Sequence, residues 1–413
     1  MRETKLRKYA ELIVRKGINV RKGQEVLVIA GLDQPDFVYI LVEEAYKAGA
    51  SRVSVQYEDD RLTALELRYM ELEEMKKVED WEIERQKHRV KTLPCRIFLD
   101  SFDPDVLAGS DTVKLASARQ ARAKALKPYR DQMENKYQWC IAAVPGKAWA
   151  KKLFPELSDK KAIEKLWEYI LKCSRADGRS PRAAWTKHNS ELSLRCDYLN
   201  SLGLDSLRIK SGNGTDLTVG LIPGMQFMGG CESPLGKKLK FNPNIPSEEI
   251  FTSPDKSRTE GIVYSTLPLS YNGKLIKSFS VRFENGKATE IRGSSDEETE
   301  ILETLIGMDE GACMLGETAL VPYSSPIRES GVIYYNTLFD ENAACHLALG
   351  MGFTNCMKDY EKFTQDELHG MGINDSIIHV DFMIGAADTE ITGKTRNGKT
   401  VKIFTKGEWA FGV

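Results

Sequence analysis

Two of the five histidines in this chain stand close to carboxylates near its C-terminal end. One lies in Leu338-Phe339-Asp340-Glu341-Asn342-Ala343-Ala344-Cys345-His346-Leu347-Ala348-Leu349-Gly350, where Glu341 precedes His346 by five residues. The other opens the run His379-Val380-Asp381-Phe382-Met383-Ile384-Gly385, 33 residues after His346. On a strand, His-x-Asp sets both side chains on one face. Glu-x4-His at a turn or helix start keeps its two groups within about one helical turn. Imidazole and carboxylate together are the donors of hydrolytic zinc, cobalt or manganese sites, so these spacings point to a metal-dependent hydrolase.

Two further groups lie upstream. In Asn242-Pro243-Asn244-Ile245-Pro246-Ser247-Glu248-Glu249-Ile250-Phe251-Thr252, two prolines fix the backbone just before a pair of glutamates. In Gly311–Val321, Glu317 is the sole charge of an apolar run. A carboxylate so placed has to be paired or metal-bound to be tolerated. Each group alone has a plainer reading: a solvated strand end for Glu248-Glu249, a satisfied backbone turn for Glu317, a core or surface histidine, a turn cap for Asp381. Their coincidence favours a site.

Other chemistries are poorly provided for. No Gly-x-Ser-x-Gly elbow is present to supply the nucleophile of an α/β serine hydrolase. Gly212-Asn213-Gly214-Thr215-Asp216 lacks the P-loop lysine and the GxGxxG spacing, and reads as a hairpin loop. Cys345 adjoins His346, but adjacent side chains point apart, so it reads as packing. His88, His188 and His369 lie in polar surroundings and read as surface residues.

These groups need a scaffold. At 413 residues, 41% hydrophobic and 29% charged, the chain is a globular protein of about two or three domains. A net charge of −2 supplies no electrostatic reason for nucleic acid or an anionic membrane as partner. The charged N-terminus has no signal-peptide core, and no run reaches the roughly 18 apolar residues of a membrane span. Eight scattered cysteines without CxxC pairing suit reduced thiols in the cytoplasm.

Along the first half, Leu6, Tyr9, Ala10, Ile13 and Val14 recur at helical spacing over 5–17. Strands are expected at 24–30 and 51–57 with a helix opened by Pro35 between them, a βαβ unit that calls for a parallel sheet. One or two exposed helices over 62–92, a strand at 96–99, a helix at 116–130 and a strand at 139–144 continue the pattern. Helices at 147–153 and 159–174 follow. The polar run Ser174–Pro181 is the linker candidate, and a helix over 182–201 leads on. After Gly203 short β segments crowd together, with Asn272-Gly273, Asn285-Gly286 and Asn397-Gly398 as hairpin signals. The expected architecture is an α/β N-terminal domain with a parallel sheet (1–201) and a mostly antiparallel β C-terminal domain (202–413) that carries the metal site.

Together the motifs resemble the thermophilic-type metalloaminopeptidases of peptidase family M29 (aminopeptidase T-like). The resemblance runs through Trp185-x2-His188-Asn189, Gly214–Leu221, Asn242–Thr252, Leu315-Gly316-Glu317-x-Ala319-Leu320-Val321, Leu338–His346 and His379–Gly385. It implies Glu249, Glu317, Glu341, His346, His379 and Asp381 as metal ligands. Six ligands, four of them carboxylates, suit two divalent ions (Zn2+, Co2+ or Mn2+) about 3.5–4 Å apart. It also implies a homodimer and an aminopeptidase that hydrolyses N-terminal residues from short peptides by a dinuclear-metal-activated water. Glu317, with apolar flanks that raise its pKa, is the expected catalytic proton carrier. The alternatives are a metal-dependent amidase or dipeptidase, and a non-catalytic, metal-stabilised binding protein. One position departs from the family pattern: a tyrosine seven residues after the first metal histidine is replaced by Phe353, which removes a phenol able to donate to an oxyanion.

Overall fold

The structure is a computed structural model that describes residues 3–101, 103–271 and 274–412. The described chain forms two compact units. The first comprises 1–186, 231–246 and 272–274, and the second comprises 187–230, 247–271 and 275–413.

The first unit is built on a parallel sheet. Its strands lie in the order Arg52–Glu58, Glu25–Gly31, Cys95–Asp100, Trp139–Ala143 and Asn244–Ile245. The apolar run Val26-Leu27-Val28 is almost wholly buried, as a strand covered on both faces must be. Helices Glu3–Leu12, Pro35–Lys47 and Asp159–Cys173 pack aromatic side chains together, with Tyr9 edge-on to Trp167 at 6.1 Å and Phe37 at 5.3 Å from the same ring. The helix expected over 5–17 is α-helical to Leu12 and then widens into a π turn, Ile13–Gly17. The exposed stretch 62–92 holds three helices, Asp60–Tyr69, Leu72–Lys76 and Asp80–Thr92.

Two segments sit where the sequence pattern does not suggest. Asn244–Ile245 pairs with Trp139–Ala143 and so belongs to the first unit, although it lies in the β-rich half of the chain. The polar run Ser174–Pro181 also lies inside the first unit, where Ser174 and Ala176 are buried and Ser174 O accepts a 2.7 Å hydrogen bond from Trp185 Nε1. The unit boundary, Thr186/Lys187, falls within the helix Pro181–Ser201, ahead of the expected 201/202 cut.

The two larger sheets of the second unit are antiparallel, and Leu269–Tyr271 and Lys274–Ile276 form a separate two-stranded sheet. The larger runs Lys287–Gly293, Phe279–Glu284, Pro254–Tyr264, Asp216–Leu221, Leu204–Lys210, Glu390–Thr395, Thr400–Thr405, Glu408–Trp409. Its Asn285-Gly286 turn has both residues at positive φ (51° and 82°), the backbone that this dipeptide favours in a two-residue hairpin. Gly398, at φ 84°, turns the chain between Glu390–Thr395 and Thr400–Thr405; Asn272-Gly273 lies outside the described residues. The smaller sheet runs His379–Met383, His346–Gly350, Leu315–Leu320, Ile250–Thr252, Met228–Gly229. Among the described residues, no helix is long and apolar enough to cross a membrane.

Candidate metal centre

The smaller sheet of the second unit has two unlike faces because side chains alternate along each strand. Ile250, Leu315, Leu320, Leu347, Leu349 and Phe382 go to the hydrophobic core of the unit. The other face carries the chemistry. Glu317 pairs with Ala348, which pairs with Asp381, so the two carboxylates flank a methyl group small enough for both to reach over it. His379 pairs with Gly350, which has no side chain to obstruct it, and His346 lies between Ala319 and Met383. Glu249 enters this face immediately before the strand Ile250–Thr252.

A bulge sets the phase. The pairing of Leu315 with Leu349 and of Glu317 with Ala348 leaves Gly316 as the extra residue. Such a bulge shifts the residues after it to the opposite side chain phase, and here it turns Glu317 onto the polar face while Leu315 stays in the core. A Cβ at Gly316 would lie 2.1 Å from Met351 O and 2.3 Å from Gly350 O. Met351 O is also the acceptor for His379 Nδ1 at 2.8 Å. Gly316→Ala is therefore expected to destabilise the fold by about 1–3 kcal/mol, as overpacking does. A denaturant midpoint unchanged from wild type would show that the backbone yields without penalty.

Both site histidines are oriented from behind. His346 Nδ1 donates to Ala344 O at 3.1 Å, and His379 Nδ1 donates to Met351 O. In each ring the Nδ1 proton is thereby fixed and Nε2 is turned toward carboxylates, the arrangement that presents a neutral imidazole lone pair to a cation. His346 Nε2 stands 3.3 Å from Glu249 Oε2. His379 Nε2 stands 3.2 Å from Glu317 Oε2 and 3.3 Å from Asp381 Oδ1.

The donors fall into two groups, each with its donor atoms within 4.8 Å of one another: Glu249, Glu317 and His346, and Glu317, His379 and Asp381. Glu317 belongs to both. Five of the six residues singled out in the sequence are thus brought together. The sixth, Glu341, is in neither group; it sits in the 3-10 turn Glu341–Ala343, after which the chain straightens into the strand that begins at His346. Glu341 and His346 lie on a turn and a strand, not on one helix, with the extended Ala344 between them. Glu341 is nonetheless within electrostatic reach of Glu249, Asp381, His346 and Glu317.

The charges at this face favour cations. Burial pushes Glu317 up to about 7, with His379 opposing and the Asp381 charge assisting the rise. Burial, and then the negative charges of Glu249 and Asp381, raises Glu341 well above its usual value. Burial also acts to raise Asp381, but His379 beside it and the charge of both imidazoles hold it below the usual carboxylate range. Burial works against the imidazolium of each histidine, yet the carboxylates win: Glu249, then Glu317, bring His346 to about 10, and Asp381 with Glu317 brings His379 to about 11. Four carboxylates around two imidazoles hold positive charge strongly, and a divalent ion supplies it without a proton. Asp381 Oδ1 is buried without a well-formed hydrogen bond, an expense that a metal bond removes. The donor set and this oxygen fit divalent cations.

One contributor escapes the sequence reading. His188, expected on the surface, is 6% exposed, and its Nε2 donates to Ser247 O at 2.7 Å, two residues before Glu249. Its place in the Trp185-x2-His188-Asn189 run was the available signal. His369 is half-buried with Nδ1 3.3 Å from Ile373 O, while His88 is exposed, as expected. Phe353 lies at the centre itself, its ring 5.0 Å from that of His379 and 5.3 Å from that of Phe251. Of the other phenols, Tyr334 is fully buried against Phe339 at 4.6 Å and Tyr360 packs on the cluster of Ile222, Met357, Leu368 and Ile373.

With this geometry in place, similarity to known proteins is informative. The model of the thermophilic metalloprotease (M29) family matches residues 2–409. The chain is 40% identical to aminopeptidase AmpS of Bacillus subtilis (strain 168) over 408 residues, 98% of either chain. It is 38% identical to aminopeptidase T of Thermus thermophilus over 405 residues, again 98% of either chain. The solved structure of wild-type AmpT from Thermus thermophilus matches with a TM-score of 0.90 at 36% identity, covering 99% of this chain and 100% of that one.

Proposed function

This chain belongs to the thermophilic metalloprotease (M29) family, and from that premise we propose an aminopeptidase that releases N-terminal residues from short peptides with two divalent ions. It is a peptidase hydrolase, and the family brings with it a divalent metal cofactor and peptide substrates. The observation that carries the finer reading is the shared carboxylate: Glu317 joins two donor groups, each with its own histidine. In this reading Glu249 and His346 would hold one ion, His379 and Asp381 would hold the other, and Glu317 would contribute to both.

When bound, such ions acidify water and neutralise charge that develops on a carbonyl oxygen. The chain's own residues do the rest. His346 and His379 keep their Nδ1 protons on Ala344 O and Met351 O, so Nε2 remains available as a donor atom. The leaving amine needs a proton. The residue pattern gives Glu317 both roles, ligand and proton carrier; we divide them, because Glu317 is engaged by both groups. Glu341 lies in neither group, and burial raises it above the usual carboxylate range, so it is the candidate to carry that proton.

Homodimeric assembly and a cytoplasmic location belong to the same proposal. Eight scattered cysteines with no CxxC pair support a reducing compartment; light scattering on the eluting protein reads the assembly. The deciding experiment is metal reconstitution. Chelator-treated protein is expected to have no activity on leucine or arginine arylamides, and added Co2+ or Zn2+ to restore it. No turnover with any metal would remove the aminopeptidase reading.

A further inference from the structure

We propose that Asn342 is the positioning residue of this centre: its carboxamide locks the Glu249 segment to the Glu341 turn, and so fixes the Glu249 and Glu341 carboxylates relative to each other. The inference rests on the roles assigned above. Asn342 is fully buried and uses each side of its amide. Its Oδ1 accepts from Glu248 N at 2.6 Å, one residue before Glu249 and 94 positions away in the chain. Its Nδ2 donates to Leu338 O at 2.9 Å, closing its own turn, and to Glu341 Oε1 at 3.3 Å. Ser325 Oγ donates to Asn342 O at 2.6 Å and holds the backbone from the other side.

The amide is the only neutral side chain that fits this pattern at this size, because it must accept on one side and donate twice on the other. A carboxylate would satisfy Glu248 N but present a negative charge to Glu341 and an acceptor to Leu338 O. An alkyl group would leave the Glu248 N–H and the Leu338 carbonyl without that partner in a water-excluded place. His188 Nε2 donates to Ser247 O in the same segment, so adjacent residues before Glu249 are held by two side chains. Donors pinned in this way bind a cation without first having to be ordered, and losing such a partner typically weakens a metal site about 10–100-fold.

The test compares full-length wild type, Asn342→Asp and Asn342→Ala. Affinity for Zn2+ is measured by chelator competition, kcat and KM with leucine arylamide, and melting of the metal-free protein as a control. Asn342→Asp, nearly isosteric, retains the acceptor for Glu248 N. It is expected to lower kcat at least about tenfold, with KM within about twofold of wild type, because Glu341 loses its donor. Asn342→Ala is expected to weaken Zn2+ binding at least about tenfold. The proposal is overturned if Asn342→Asp keeps wild-type kcat and Asn342→Ala keeps wild-type affinity. It is equally overturned if kcat, KM and metal-free melting deteriorate together, the mark of a merely structural residue. Should wild type itself show no turnover, the aminopeptidase reading fails, while the Zn2+ competition still decides the role of Asn342.

Discussion

Glu317→Gln is expected to abolish turnover and to loosen both cation positions at once. The side chain is 4% exposed and contributes to both donor groups, so neutralising it weakens two bonds where any other ligand substitution weakens one. Glutamine keeps the shape and one weak carbonyl donor but removes the charge. The loss of kcat should reach at least about 10^3-fold, equivalent to about 4 kcal/mol of the several that bound cations contribute to the transition state. Metal content after dialysis should fall along with the rate. Glu341→Gln is the necessary contrast: a proton carrier outside both groups should keep metal content near wild type while kcat falls about 10^2–10^4-fold. If Glu341→Gln retains full rate, the division of roles is wrong and Glu317 has to carry the proton as well. If Glu317→Gln keeps both its metal and its rate, the shared-carboxylate centre is wrong.

Phe353→Tyr is expected to raise kcat. The ring already lies against His379 and Phe251, so the aromatic wall is in place and only the hydroxyl is lacking. Phe353 is half-buried and is not enclosed in the core. An oxyanion donor of this kind contributes about 2.7–4 kcal/mol where it has been removed from other enzymes, which sets an upper limit of about 10^2–10^3 on the gain. A change confined to kcat, with KM held, is the signature of a bond made in the transition state. An unchanged kcat would mean that another group already stabilises that charge. A matching change in the pattern of preferred N-terminal residues would place Phe353 in substrate selection instead.

The sequence by itself determined what depends on local periodicity and on residue type. Alternating strand and helix patterns over 25–100 were enough for a parallel sheet, because a β-α-β segment has no other common way to bury its strands. Asn285-Gly286 was enough for a hairpin, because both of its residues adopt positive φ there. His379-x-Asp381 was enough for a shared face, because strand side chains repeat every second residue. The rarity of histidine, and a glutamate isolated in an apolar run, marked the site.

Tertiary structure decided what depends on partners distant in the chain. Only the pairing of Leu315–Leu320 with His346–Gly350 reveals Gly316 as a bulge, since a bulge is a property of two strands and not of one. His188 and Asn342 look like ordinary polar residues in sequence; their roles come from backbone groups of the Glu249 segment, 59 and 94 positions away. The same cause placed Asn244–Ile245 in the first unit's sheet, where a two-residue strand has too little periodicity to announce itself. Glu341 and Glu317 are equally acidic on paper. They differ because three strands bring donors to Glu317 from both sides, while Glu341 stands on a turn beside them.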